Sequence, residues 1–231
     1  MVPQPFSFYL SPREAILSDL NPRLIETFVA IRDDVDNFMS LFLSFAQKHS
    51  KDFYYGVRHK VYTESTMRAA QFLYLNRVCF NGIYRENLKG IFNVPIGSKK
   101  SATLDSDDFS LISKKLSGVE ILVSDFEVVV DRASEGDFLF VDPPYTTKHN
   151  NNGFVKYNQN IFSWADQERL ALGIVRAASR GAKIVVTNAD HFEVRELYKE
   201  NFEIRSLQRA TIIASNSASR GMTTEMVATN V

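Results

Sequence analysis

Apolar positions along the chain recur with two periods, and these set the expected elements. Leu24, Ile25, Phe28 and Ile31 fall at i, i+1, i+4 and i+7, the stripe of an amphipathic helix. Asn21 is a good N-cap for it and Pro22 suits its first position. The short run Glu14–Leu17, leading into Ser18 and Asp19, predicts a strand just upstream. Phe38, Leu41, Phe42 and Phe45 share one side of a second helix, and residues 63–78 predict a third. Residues 79–97, with Gly82, Gly90, Gly97 and Pro95, read as a loop holding a hairpin. Apolar runs predict strands at 120–124, 137–142 and 182–188. A helix from Trp164, with Asp166 early and Gly181 as its stop, lies between the last two. Strands near 203–210 and 223–230 complete the pattern. Apolar strands alternating with helices predict an α/β fold with a mostly parallel sheet.

Composition narrows the class. At 231 residues and 45% hydrophobic content, the chain suits one large domain, or one carrying an insertion. No run approaches the roughly 20 apolar residues of a membrane span. Met1–Pro5 lacks the basic and apolar parts of a signal peptide. A single cysteine, Cys79, excludes an internal disulfide, and one Cys with four His argues against a structural zinc site. The expectation is a cytoplasmic monomer with no metal. Net charge is zero, yet residues 51–100 hold nine Lys/Arg against three acids. That segment is either a solvated basic face or a surface for a polyanion such as nucleic acid. It also interrupts the strand–helix alternation, so it reads as an insertion over 51–111 within a domain formed by 1–50 and 112–231.

The stretch "FLFVDPPY" carries the clearest chemistry. Phe138–Asp142 reads as a buried strand ending in an acid. Pro143 and Pro144 hold the residues before them extended and end the ladder. The carboxylate of Asp142 and the carbonyl of Pro143 are expected to face outward, uncommitted, at the carboxyl end of a strand, with Tyr145 as a flat face beside them. Two fixed acceptors beside an aromatic plate suit the exocyclic amine of a heterocycle such as adenine. Accepting both amine hydrogens draws the nitrogen toward tetrahedral geometry and frees its lone pair to attack a methyl donor. Catalysis is then mostly positioning and electrostatics. To reach that nitrogen in duplex DNA the base must leave the stack.

These residues resemble a known family, the Dam-like (D12 class) adenine-N6 DNA methyltransferases. Besides Asp142–Tyr145, the resemblance runs through "ILSDLNPRLIETFVAIRDD", "FLYLNRVCFNGIYRENLKGIFNVPIG", "FSWADQERLA", "IVVTNAD" and "RGMTTEMVATN". It implies a Rossmann-like methyltransferase sheet with an inserted, mostly helical and basic target-recognition region over 51–111. It also implies S-adenosylmethionine as methyl donor and double-stranded DNA as substrate. By resemblance, Asp142, Pro143, Pro144 and Tyr145 form the catalytic turn. Asp19 grips the cofactor's ribose hydroxyls, Asp125 and Phe126 contact its adenine, and Asp142 lies near its sulfonium. Phe80 and Asn81 match positions that enter the duplex beside the flipped base. Ile83 and Pro95 match apolar base contacts, and Arg85 a base-reading arginine. Lys89 is expected on a phosphate, and Arg77 on a phosphate or in a structural pair.

One family feature is missing from the pattern. The Gly-rich cofactor loop of the form Pro-Phe-x-Gly-x-Gly is expected after Pro5-Phe6, but Ser7 follows at once and the first glycine is Gly56. Two function classes stay open on this ground: an active adenine-N6 DNA methyltransferase, or a catalytically impaired relative that still binds DNA. N-methylation of RNA or protein shares the chemistry of the turn but leaves residues 72–97 unexplained.

Overall fold

The structure, a computed structural model, describes residues 12–87, 90–145, 162–210 and 222–231. The chain forms two compact units, residues 1–125 and 126–231. Both mix helices and strands, a mixed α/β organisation in keeping with a methyltransferase fold.

In the first unit, β1 (Ile16–Asp19) leads into α1 (Pro22–Asp33). The Asn21 side chain accepts from the amides of Arg23 and Leu24, as the cap pattern requires. α2 (Val35–Gln47) buries Phe38, Phe42 and Phe45, the predicted stripe. α3 (Lys51–His59) is an element the periodicity did not predict. α4 (Ser65–Val78) is the central helix of the unit, with α1 and α2 packed on it. It buries residues on all sides, and its small Ala69 and Ala70 lie in this packing. α5 (Phe109–Leu116) sends Phe109 edge-on against Phe38 and Phe42, with centroids 5.4 and 5.6 Å away. β2 (Glu120–Val123) then pairs parallel with β1, in a register matching Asp19 to Val123.

In the second unit, α6 (Phe126–Val130) precedes β3 (Phe138–Val141). α7 (Trp164–Ser179) starts on a capping box in which Ser163 and Asp166 bond each other's backbone amides. β4 (Lys183–Ala189), α8 (Phe192–Tyr198), β5 (Glu203–Ala210) and β6 (Met222–Thr229) follow. The strand order is β3-β4-β6-β5. Ile184 and Val186 of β4 are fully buried, as are Leu170 and Ile174 of α7 in the same core.

The sheet of the second unit is mostly parallel in strand direction: β3, β4 and β5 run the same way and β6 alone is reversed, so β4–β6 and β6–β5 pair antiparallel. Eleven residues separate β5 from β6, fewer than the dozen or so that a parallel return needs. One expectation needs correction: the strand before Asp142 is not fully buried, since Phe138 and Phe140 are 42% and 40% exposed.

Candidate active site and nucleic-acid interface

In the first unit, the parallel pairing of β1 and β2 brings two of the predicted acids to one end. The Ser18 and Ser124 hydroxyls lie 3.0 Å apart, and the Ser124 amide donates to the Asp19 carbonyl at 3.3 Å. Asp19 at the end of β1 and Asp125 just past β2 therefore share the carboxyl edge of the pair. The Asp19 side chain accepts from the Asn21 amide at 2.6 Å through Oδ1 alone. Desolvation pushes the Asp19 carboxyl above the ordinary value, with the Asn21 amide pulling it down less strongly.

The segment expected to meet DNA is anchored on the end of α4. The Cys79–Ile96 and Glu86–Phe92 bridges are antiparallel, so the expected hairpin is present. It is fastened by Phe80 N to Pro95 O at 2.9 Å and Gly97 N to Val78 O at 2.8 Å. Gly97 has to be glycine, because a Cβ there would stand 2.6 Å from the Cys79 carbonyl oxygen. Phe80 is 47% exposed, and Asn81 beside it takes the left-handed conformation, φ 54°, which is uncommon for a non-glycine residue. Arg85 is exposed, and its Nε donates to Asn93 Oδ1 at 2.8 Å. Pro95 is exposed and Ile83 half-buried. Phe80, Asn81, Ile83, Arg85 and Pro95 thus belong to one local structure. Lys89 and the Phe6–Ser7 junction lie outside the described residues.

Arg77 corrects an expectation. It is 5% exposed, and its guanidinium grips Asp107 with two bonds of 2.7 and 3.1 Å while also donating to the Ala102 carbonyl at 3.3 Å. Of its two expected roles, the structural pair is the one its burial permits. Arg58 and Arg68 also serve the interior. Arg58 donates to the Val94 carbonyl at 3.1 Å and Arg68 pairs with Glu26, so the basic excess of 51–100 overstates the positive surface. Cys79 is buried and its thiol is pushed up to about 11, as suits a small packing residue.

In the second unit, Asp142, Pro143, Pro144 and Tyr145 follow the last residue of β3. Asp142 is exposed but not uncommitted, since Oδ1 accepts from the Thr187 hydroxyl at 2.6 Å. Thr187 sits on β4, on the face opposite Val186 and Asn188, where it reaches β3. The Pro144 carbonyl accepts from Gln167 Nε2 at 3.3 Å. The Pro143 carbonyl takes no hydrogen bond among the described residues. Tyr145 is half-buried. Phe126 is partly buried in the core of this unit. The Arg169 guanidinium lies 4.2 Å from its ring centroid, and Phe162 packs at 5.8 Å. Thr187, Gln167, Asn188 and Asn93 were not among the residues singled out from sequence. The first three lie inside the quoted stretches "FSWADQERLA" and "IVVTNAD", but a polar residue in sequence gives no sign of the partner it meets in the fold.

No helix of the described residues is long and apolar enough to cross a membrane. Among the described residues no cluster of three or more His, Cys, Asp or Glu is placed to hold a metal.

Comparison with known proteins bears on this geometry directly. The family described as D12 class N6 adenine-specific DNA methyltransferase matches residues 5–213. The type II methyltransferase M1.LlaDCHI of Lactococcus lactis subsp. cremoris is 33% identical over 232 residues, covering 96% of this chain and 81% of that protein. The type II methyltransferase M.MjaIII of Methanocaldococcus jannaschii is 35% identical over 208 residues, covering 84% and 72%. The DNA adenine methylase of Haemophilus influenzae is 31% identical over 221 residues, covering 92% and 76%. The family model and these relatives agree, and the chain belongs to the D12 class of N6 adenine-specific DNA methyltransferases, enzymes that methylate adenine in DNA with S-adenosylmethionine as donor.

Proposed function

We propose that this chain methylates N6 of an adenine flipped out of duplex DNA, with Asp142–Tyr145 as the catalytic turn. The observation that carries the reading is the fixing of Asp142 by Thr187 at the carboxyl end of a parallel strand, where open α/β sheets bind ligands. With Oδ1 held by the hydroxyl, the carboxylate has a set orientation, and Oδ2 accepts one amine hydrogen. The Pro143 carbonyl accepts the other. S-adenosylmethionine supplies an electrophilic methyl on a positively charged sulfur. As the new N–C bond forms and the S–C bond breaks, positive charge gathers on the amine, the Asp142 carboxylate stabilises it, and one amine proton then leaves to that carboxylate or to water. Tyr145 holds the extruded base by stacking.

For the cofactor, the donor set of the first unit fits an adenosine. Asp19 has its second carboxylate oxygen outside the Asn21 contact, and a carboxylate bridges a vicinal diol. Asp125 shares that edge with it, and Phe126 is the family's adenine contact by resemblance. Taken by itself, each unit holds a parallel strand pair followed by an acid at its carboxyl end, the local pairing on which the Rossmann-like reading rests. For DNA, Phe80 and Asn81 insert beside the flipped base, Arg85 reads a base edge, and Ile83 and Pro95 give apolar contacts. Lys89 and the exposed Lys51, Lys60, Lys99 and Lys100 serve phosphates. Arg77 belongs to the scaffold.

The test is incubation with methyl-labelled S-adenosylmethionine and mixed-sequence duplex DNA, followed by digestion to nucleosides. Label is expected in N6-methyladenine. Label confined to cytosine, or to added RNA, would reject the reading. Asp142→Ala should abolish transfer while leaving duplex affinity within about threefold, since the contact strengthens only as the nitrogen rehybridises. A variant retaining half its rate would remove Asp142 from the chemistry.

A further inference from the structure

Gln167 and Asn188 are polar residues standing where the pattern calls for apolar ones. On α7, Gln167 precedes Leu170 and Ala171 by one turn and continues their buried face. On β4, Asn188 follows Ile184 and Val186 on the same side. Both are 0% exposed. Buried amides are costly unless their donors and acceptors are met. These two meet each other and reach further. Asn188 Nδ2 donates to Gln167 Oε1 at 3.0 Å, and Gln167 Nε2 donates to the Pro144 carbonyl at 3.3 Å. Asn188 Oδ1 in turn accepts from the Ala189 amide at 2.8 Å. The bonds run from the backbone of β4 to the catalytic turn. An apolar pair of similar shape fills the same space without needing partners, so packing alone does not account for two amides here.

The Pro144 carbonyl belongs to the planar peptide unit that joins Pro144 to Tyr145, so holding its oxygen fixes the plane from which the tyrosine side chain departs. The neighbouring residue on β4, Thr187, projects to the opposite face and holds Asp142. Two consecutive residues of one strand thus grip the two ends of the turn, Thr187 directly and Asn188 through Gln167. We propose that Gln167, oriented by Asn188, is a positioning residue for methyl transfer, setting the angle of the Tyr145 ring and hence the seat of the target base. The inference rests on the reading of Asp142–Tyr145 as the catalytic turn.

Three variants test it. Gln167→Met keeps the volume and loses both hydrogen bonds. Gln167→Glu keeps the acceptor facing Asn188 and loses the donor to Pro144. Asn188→Leu removes the orienting donor. Each is measured for unfolding midpoint, duplex affinity and single-turnover methyl transfer. The duplex carries the site that the unaltered chain methylates, and a second version carries 2-aminopurine in place of the target adenine. The unfolding midpoint should fall, because each variant leaves a buried polar group without its partner, but each variant should remain folded under the assay conditions, with duplex affinity within about threefold of the unaltered chain. Transfer should slow at least about tenfold in both Gln167 variants, the order of loss expected from misaiming. The 2-aminopurine emission should rise, because the base is no longer held against the tyrosine ring. The double variant Gln167→Met/Asn188→Leu should be no slower than Gln167→Met, since both act through one chain of bonds. A folded Gln167 variant that transfers within about twofold of the unaltered rate would overturn the proposal. So would unchanged emission or a double variant showing the product of the two single effects. Loss of folding in all three would make the amides a core requirement and would equally refute it. Asp142→Ala run alongside distinguishes the failures. Full activity there removes the catalytic turn itself, whereas inactivity there with an active Gln167→Met removes only the positioning role.

Discussion

Replacing Gly97 by alanine adds one methyl group at the point where the recognition hairpin meets α4. The added carbon would lie 2.6 Å from the Cys79 carbonyl oxygen, 2.9 Å from its carbon and 3.1 Å from the Val78 oxygen. All three are backbone atoms, so none can swing aside as a side chain would. Relief requires the two strands of backbone to part by roughly half an ångström or more, since contacts this short are absent from well-packed proteins. The bonds that hold them together are Gly97 N to Val78 O at 2.8 Å and Phe80 N to Pro95 O at 2.9 Å. At about 0.5–1.5 kcal/mol each, weakening both costs about 1–3 kcal/mol. The gain from a stiffer unfolded chain, about 0.4–1 kcal/mol, offsets only part of this. Denaturant unfolding should therefore show Gly97→Ala less stable by about 1–2 kcal/mol. Because Phe80 and Pro95 move with the hairpin, duplex affinity by fluorescence anisotropy should fall by roughly tenfold, the equivalent of one lost base contact. Gly56→Ala is the matched control. It lies inside α3 with nothing within 4 Å of the added carbon, and should stabilise by about 0.5–1 kcal/mol without touching DNA binding. If the two variants had the same stability and the same affinity, the close-approach argument would fail.

Arg77→Met should destabilise by about 2–4 kcal/mol, because it strands a partly buried Asp107, yet the folded fraction should keep its sequence preference; lost preference at equal stability would restore Arg77 to the DNA contact. Arg85→Ala should cost about 1–3 kcal/mol on target DNA and relax selection at one base pair; equal losses on target and random duplexes would refute base reading. Cofactor affinity, followed by calorimetry against pH, should start to fall at a higher pH than an ordinary carboxylate would give. Asp19 must be ionised to bridge the ribose diol and its folded value is raised, so it takes up its proton early as pH falls. Asp19→Asn should bind weakly at every pH, and a retained pH dependence there would assign it to another group. At neutral pH the sequence around Phe6–Ser7 predicts binding weaker by roughly two to four powers of ten than a Gly-rich loop provides, from about two lost hydrogen bonds to charged groups; tight binding would show that other residues do that work.

Much of this was legible before any coordinates. Long, strongly periodic elements such as α1, α2, α4 and α7 followed from their stripes and caps, and the strands from apolar runs, with ends off by one or two residues. α3, α5, α6 and α8 were not foreseen. In α3, Tyr54 and Val57 are buried among charged neighbours over nine residues, too short a window for a period to stand out. The turn proposed as catalytic was visible because two prolines after an acid constrain the backbone by themselves. Its supports were not. Thr187, Gln167 and Asn188 matter through partners 21 to 45 positions away, and only the fold reveals such pairings. Arg85 and Arg77 look alike in sequence, eight residues apart in one basic stretch. Burial separates them, and burial is a property of the folded chain.

The strand order of the second unit also bears on how the protein is made. β6, which leaves the ribosome after both of its neighbours, lies between β4 and β5 and pairs with both along most of its length. Until it arrives, β4 and β5 each present an open backbone edge, and Ile204 on β5 has yet to meet its partner Ala228. Vectorial synthesis therefore cannot complete this sheet progressively, and closure waits on the final insertion. A chain released before Met222 would carry two sticky edges at once, so premature termination should lead to aggregation or degradation rather than to a soluble fragment.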